Sequence, residues 1–360
     1  MSFNQKIQKE FQHLITFKKT NRKWPIPFLV AISMGTPLLV GLYFGNLQYG
    51  LTACLSGLVM LYLPDLGSFT NRILTVMVCS FGFMVSFAFG LLFSFNPIVS
   101  AIALGVFSMV VHWIILYYKT APPRSFFFIL IAAMAICQPF NLSTIPTKVG
   151  LLGLGTMFTA ILAILYTFLL FTKDPEIASS PVVPVFKKNP AADFWEALIM
   201  GGFMLLSLLI GRLLHYSNPY WIPISCAAVM QGASLYHIWQ RTFHRILGTF
   251  IGIGLTWLII TVVKTPLEIC LTIILLQTIV ETLIVRQYAI AVLFITPMTI
   301  LLAEAANPIY NSPTTLITLR FVEIAIGSLL GAIGGWLLYK EKIRFATIEK
   351  FNQLKNSFKR

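Results

Sequence analysis

The chain has 360 residues, 57% hydrophobic and only 11% charged, with a net charge of +14 and a mean hydropathy of +0.83. An ordinary soluble domain is about 25% charged, so this composition excludes a soluble globular protein and reads as an all-α polytopic membrane protein. Five single cysteines, Cys54, Cys79, Cys137, Cys226 and Cys270, sit in apolar segments without paired spacing, so neither a metal site nor a disulfide framework is expected.

The first 23 residues are basic and lack the apolar core of a signal peptide. Phe3, Ile7, Phe11, Leu14 and Ile15 alternate at helical spacing with Lys6, Lys9, Gln12 and Lys18, which predicts a helix lying on the inner leaflet. Apolar runs then predict spans near 27–45, 49–65, 73–95, 98–117, 125–140, 148–171, 194–213, 220–236, 245–263, 266–285, 287–303 and 316–339. The second, fifth, eighth and eleventh are short. Pro37, Pro223 and Pro297 fall inside spans, where kinks are expected. The tail repeats the amphipathic pattern with Ile348, Phe351, Leu354 and Phe358.

With the N-terminus inside, twelve spans put 22 of the 26 Lys and Arg on the cytoplasmic side, leaving Lys148, Arg212, Lys264 and Arg320. The positive-inside rule therefore sets orientation and span parity. The basic charge is a topology signal and an attraction to membrane lipids, and no nucleic-acid partner is expected.

The Arg-Ile-Leu junction occurs twice, at 72–74 and at 245–247, and sliding the chain brings the two together. The same comparison sets Arg124 on Arg286, Lys148 on Arg320 and Gly155 on Gly327. Five units are expected: a cytoplasmic N-terminal segment 1–26, a six-helix repeat 27–171, a cytoplasmic linker 172–193, a second six-helix repeat 194–339 and a basic tail 340–360. Because six is even, the repeats run parallel about an axis along the membrane normal, and the substrate route lies where they meet.

No nucleotide-binding loop, nucleophile elbow or HExxH is present, so neither an enzyme nor a cofactor is expected. The ionisable groups within spans carry the functional weight. Arg320 and Glu323 share one helical face at i, i+3; they and Lys148 either flank an anion path or reach outward to the interface. Arg72, Arg124, Arg245 and Arg286 are expected at the inner N-terminal ends of spans, where a cation opposes the helix dipole unless an anion relieves it. Glu281 is the best-placed carboxylate for proton coupling, or else an interfacial ion pair near Arg286. His112 titrates near neutral pH or anchors the interface beside Trp113. Gln231 and Gln277 bind a carboxylate or join helices, and Tyr220, Trp221 and Tyr288 stack on a ring or sit in the aromatic belt.

The segments YWIPISCAAVMQ (220–231), the Arg-Ile-Leu-Gly-Thr-x-x-Gly junction (245–252) and RQYAIAVLFITP (286–297) resemble the fusaric acid resistance or aromatic acid exporter family, whose relatives include plant malate channels. The resemblance implies a multi-pass protein of the bacterial inner membrane that exports small organic anions, aromatic carboxylic acids above all, on the proton gradient. It implies a periplasmic adaptor protein as a partner in some members, and it leaves a homo-oligomer open. A malate-type anion channel and a non-transporting membrane component stand as alternatives. Longer relatives carry cytoplasmic domains, for which the linker and tail here leave little room.

Single cysteines placed at Asn46, Asn141 and Asn311 in a cysteine-free background should react with a membrane-impermeant thiol reagent added outside intact cells. Protection of all three contradicts this orientation.

Overall fold

A computed structural model describes residues 20, 22–173, 194–232, 234–304 and 313–339, and among these no strand occurs. The N-terminal segment up to residue 19, most of the linker (174–193) and the tail (340–360) lie outside the described residues.

The helices are α1 (Pro25–Tyr43), α2 (Leu47–Cys54, continued by a 3-10 stretch Leu55–Tyr62), α3 (Phe69–Leu92), α4 (Pro97–Tyr117), α5 (Phe126–Ile136) and α6 (Ile145–Lys173). There follow α7 (Phe194–Leu213), α8 (Trp221–Met230), α9 (Leu235–Val262), α10 (Pro266–Leu283), α11 (Tyr288–Glu304) and α12 (Pro313–Tyr339). Local chemistry sets many of the starts. Asn96 accepts from the Ile98 and Val99 amides with Pro97 following it, Ser68 accepts from Asn71, and Thr265 forms a capping box with Glu268 ahead of α10.

Eight helices are long and apolar enough to cross a membrane: α1, α3, α4, α6, α7, α9, α10 and α12. The other four apolar helices are shorter, and they are the four short segments expected from the sequence. At 1.5 Å per residue, the 11 residues of α5 and the 10 of α8 reach only about 15 Å of the roughly 30 Å hydrocarbon core.

These short helices are apolar all round and are shut inside the protein. Every residue of α8 is buried, as are Ile129, Ile131, Ala132, Ala133 and Ile136 of α5. The long helices turn their remaining apolar faces outward at three- and four-residue spacing. Leu154, Met157, Ile161, Leu165 and Phe168 form such a stripe on α6, and Phe250, Trp257 and Leu258 lie exposed on α9.

The helix pairings recur along the chain. α3 packs on α5 and α6, as α9 packs on α11 and α12; α2 packs on α6, as α8 packs on α12. α4 lies along α7, and α10 lies along α1. Glycines permit the closest approaches. Gly155 faces Ala53 and Ser56 of α2, Gly327 faces Ile222 and Ser225 of α8, and Gly105 meets Gly201 where α4 crosses α7.

Two of the three prolines lie inside continuous helices, Pro37 in α1 and Pro297 in α11. Pro223 differs. It stands in the first turn of α8, where the missing N–H has no intrahelical acceptor to lose, so no kink is required there.

On α9, Gly248 and Gly252 face α11, whereas Gly254 faces open space. Gly252→Ala would drive a methyl to 2.7 Å from the Leu293 carbonyl oxygen and 2.8 Å from Thr296 Cβ. It should lower the thermal midpoint in detergent, the overpacking costing about 1–3 kcal/mol. Gly254→Ala should hold or raise it through helix propensity. Equal effects of the two contradict this packing.

Candidate functional site

Ser234 caps α9 by accepting the His237 amide, so the helix starts ten residues before Arg245. Arg245 is thus about 15 Å along the helix and not at a span's N-terminal end as expected from the apolar run. Its helix-dipole conflict disappears with that correction. Its guanidinium points into the protein, 7% exposed, and donates to Ser225 Oγ of α8 at 3.1 Å and to the Tyr288 hydroxyl of α11 at 3.3 Å. Both partners are neutral.

One turn further on, Thr249 faces the same side and is 1% exposed. From α11 come Thr296 and Thr299, each donating to its own helix backbone at 3.0 Å, which leaves oxygen lone pairs available. From α12 comes Arg320, 5% exposed, which donates to Thr299 Oγ1 at 2.9 Å. Its guanidinium carbon lies over the Trp221 ring of α8, 2.9 Å from the centroid.

Trp221, Arg245, Thr249, Val292, Ile295, Thr296, Thr299, Arg320 and Ile324 enclose a cavity of about 10 Å³, space for one water-sized body. Two side-chain atoms on its wall, Arg245 Nε and Thr249 Oγ1, are buried without a hydrogen-bond partner. Two buried guanidiniums and three hydroxyls around one enclosed space form an electropositive pocket, and a small anion or a single carboxylate group is what it complements. Arg320 does not reach for the interface, the alternative open to it in the sequence. It is directed inward.

The sequence candidates Arg320, Arg245, Trp221 and Tyr288 are therefore brought together. Glu323, 3% exposed, stands one turn beyond Arg320 on α12. Lys148, the repeat counterpart of Arg320, is elsewhere: half-buried, it donates to Gln138 Oε1 at 2.7 Å. Arg286 and Arg124 are exposed at the α10–α11 and α4–α5 turns. Gln231 donates to the Pro123 carbonyl at 3.4 Å and joins the α8–α9 turn to the α4–α5 turn. Arg72 does lie in the first turn of α3, but it is 1% exposed and held by Thr167 Oγ1 and the Asp65 carbonyl.

Glu281 is buried and pairs with Arg22, 2.9 Å from Nη1 to Oε2, while Gln277 donates to its other oxygen at 3.1 Å. The ion-pair alternative describes this carboxylate, with Arg22 in the place expected for Arg286. His112 is 4% exposed and bonded on both ring nitrogens, to Ser125 Oγ at 2.7 Å and to Glu196 Oε1 at 3.4 Å. It is therefore tied between helices.

Sequence reasoning missed Thr249, Thr296, Thr299 and Ser225. The i, i+4 spacing of Arg245 and Thr249 on one helical face was the available signal.

Residues 206–334 match the family described as fusaric acid resistance protein-like. Among curated proteins, the chain is 35% identical over 152 residues to an uncharacterized membrane protein, YvaC, of Bacillus subtilis (strain 168). That similarity takes in 42% of this chain and 24% of the relative, so the chain spans about a quarter of the relative's length. No solved structure matches. The matched stretch runs from α7 into α12 and contains the entire wall of the electropositive cavity. The chain is a multi-pass membrane protein whose residues 206–334 are similar to the family described as fusaric acid resistance protein-like.

Proposed function

We propose that this protein is a secondary transporter of the bacterial inner membrane that exports small organic anions, aromatic carboxylic acids in particular, on the proton gradient. The observation that carries this reading is the convergence of Arg245 and Arg320 on one buried cavity lined with hydroxyls. Burying a guanidinium costs several kcal/mol unless it is well compensated. Placing two beside one cavity is economical where an anion arrives between them. The substrate's carboxylate takes the guanidiniums, and its ring takes the face of Trp221 that Arg320 now covers.

The cavity is too small for an aromatic acid, so this arrangement is the closed state, and access requires helices to part. The recurring pairings support two halves, 27–171 and 194–339, joined by the 172–193 linker. They are related by an axis along the membrane normal, with all twelve helices counted as membrane segments and both termini inside. In that frame α4–α7 and α10–α1 are equivalent seams, and the short helices α2, α5, α8 and α11 correspond in pairs. Short segments in matching positions of two repeats mark the binding region of many transporters. Under the same shifts, Thr249, Thr296 and Thr299 correspond to Val76, Met134 and Cys137, so the polar site belongs to the second half alone.

Reconstitution into proteoliposomes tests this reading, with benzoate as the probe. Arg320→Gln should lower benzoate export about thirtyfold or more at unchanged protein level, because truncating one partner of a buried, hydrogen-bonded charge costs roughly 2–5 kcal/mol. Combining it with Glu323→Gln should restore part of the flux by removing the carboxylate left one turn away. Flux that follows voltage alone with no response to an imposed proton gradient makes the protein a channel. No flux in the parent makes it a non-transporting component.

A further inference from the structure

The outer face of α4 is apolar along its length. Ile102, Val106, Val110 and Trp113 stand exposed at three- and four-residue spacing, and Leu116 continues the row three residues on. At 1.5 Å per residue the 21 residues of α4 cover about 31 Å, the thickness of the hydrocarbon core. The residues after Tyr117 therefore stand at the level of lipid headgroups. Trp113 and Tyr117, with ring centroids 6.0 Å apart, mark that boundary as interfacial aromatics do.

The first residues past the boundary form a basic cavity. Lys119 and Arg124 flank a surface cavity of about 350 Å³ whose other walls are Ile115, Leu116 and Thr120. That volume lies within the range of ligand pockets, about 300–1,000 Å³. Both cations are exposed, and among the described residues no carboxylate forms an ion pair with either. Thr120 Oγ1 is buried on the same wall without a hydrogen-bond partner. An anionic oxygen between the cations would satisfy that hydroxyl as well.

The local backbone works against these residue types. At the end of α4 the Lys119 amide donates to the Leu116 carbonyl at 3.2 Å and the Thr120 amide to the Ile115 carbonyl at 3.3 Å. This closure sets Lys119 at φ 46°, the left-handed position that glycine ordinarily fills after a helix. Arg124 also has a positive φ, 51°. Folding alone favours glycine at both places. The alignment that sets Arg124 on Arg286 sets Lys119 on Glu281, the partner of Arg22, so this basic pair has no counterpart in the second half.

We propose that the cavity binds the phosphate diester of an anionic phospholipid whose acyl chains lie along the α4 stripe. Lys119 and Arg124 pair with the phosphate oxygens, Thr120 donates to one of them, and Ile115 and Leu116 cover the glycerol carbons. A lipid held there braces the α4–α5 turn. The Arg124 carbonyl of that turn accepts from the Tyr62 hydroxyl at 2.7 Å and its Pro123 carbonyl accepts from Gln231 at 3.4 Å, so the turn is bonded to segments far apart in the chain. The site needs only a headgroup layer at this end of α4. With both termini inside, as proposed above, that layer is the inner leaflet, where basic pockets between helices take anionic lipids.

Native mass spectrometry of the full chain in detergent tests this, with titrations of phosphatidylglycerol and, in parallel, of phosphatidylcholine with the same acyl chains, whose choline offsets the phosphate charge. The first phosphatidylglycerol should bind more tightly than the first phosphatidylcholine. Lys119→Gly and Arg124→Gly should each weaken it about fivefold, the loss expected per basic residue at an anionic surface. In both, the thermal midpoint without lipid should hold or rise, because glycine relieves the left-handed backbone. Thr120→Val should also weaken the lipid, Lys119→Arg should retain it, and Lys264→Gln, at the exposed turn before α10, should leave it unchanged. Equal affinity for the two lipids, affinity undiminished in both glycine variants, or the same loss in Lys119→Arg as in Lys119→Gly overturns the proposal. Inorganic phosphate that displaces the lipid at equal concentration marks a free-phosphate site and overturns the lipid assignment. The titration contains no transport substrate, so absence of benzoate flux removes the transport reading and leaves this result unaffected.

Discussion

A helix of ten or eleven residues cannot cross about 30 Å of hydrocarbon, and the interior is organised around that shortfall. Helices α5 and α8 are too short to cross it, and unsatisfied peptide groups within hydrocarbon are costly. Longer helices therefore wrap them, and the loops that leave them are bonded to neighbours. Arg241 donates to the Ala228 carbonyl near the end of α8, Arg212 to the Ile136 carbonyl at the end of α5, and Tyr62 to the Arg124 carbonyl ahead of α5. Surrounding the short helices with long ones creates an inner compartment where polar side chains survive without water, and the Arg245–Arg320 cavity lies within it.

The charged groups divide by partner. Arg22 and Glu281 form an ion pair and His112 meets Glu196, and both contacts join elements far apart in sequence. Arg245 donates to two hydroxyls, those of Ser225 and Tyr288, and faces a cavity. A buried ion pair is neutral as a unit and serves to fix a geometry. A buried guanidinium among hydroxyls keeps its charge available. That difference separates the joints of the molecule from its candidate site, whose lining comes from α8, α9, α11 and α12, within residues 206–334 that carry the family match.

Run length alone made the all-helical membrane class and the four short segments legible in the sequence, because hydropathy is the property that lipid selects. Element boundaries were less so where a helix begins in polar residues. The apolar run of α9 starts only after Arg245, whereas its cap is Ser234, and of the ten intervening residues Ile238, Thr242 and His244 are buried while Leu235, Tyr236, Trp239 and Phe243 are exposed. Arg22 was readable as a topology charge but not as the partner of Glu281, 259 positions away. The threonines of the cavity wall were invisible for a different reason: within an apolar helix a threonine that bonds its own backbone has the same sequence appearance whether it faces lipid, a neighbour or a cavity.

The central claim is that a carboxylate enters between Arg245 and Arg320. Its most direct measurement is the unfolding midpoint of the purified chain in detergent, with increasing benzoate and, in parallel, with benzyl alcohol of matched ring size. A ligand that binds only the folded state stabilises it by an amount that grows with its concentration. The account predicts a rise of the midpoint with benzoate, no rise with benzyl alcohol, and loss of the benzoate effect in Arg245→Gln. Equal responses to the acid and the alcohol, or a benzoate effect undiminished in Arg245→Gln, would contradict it.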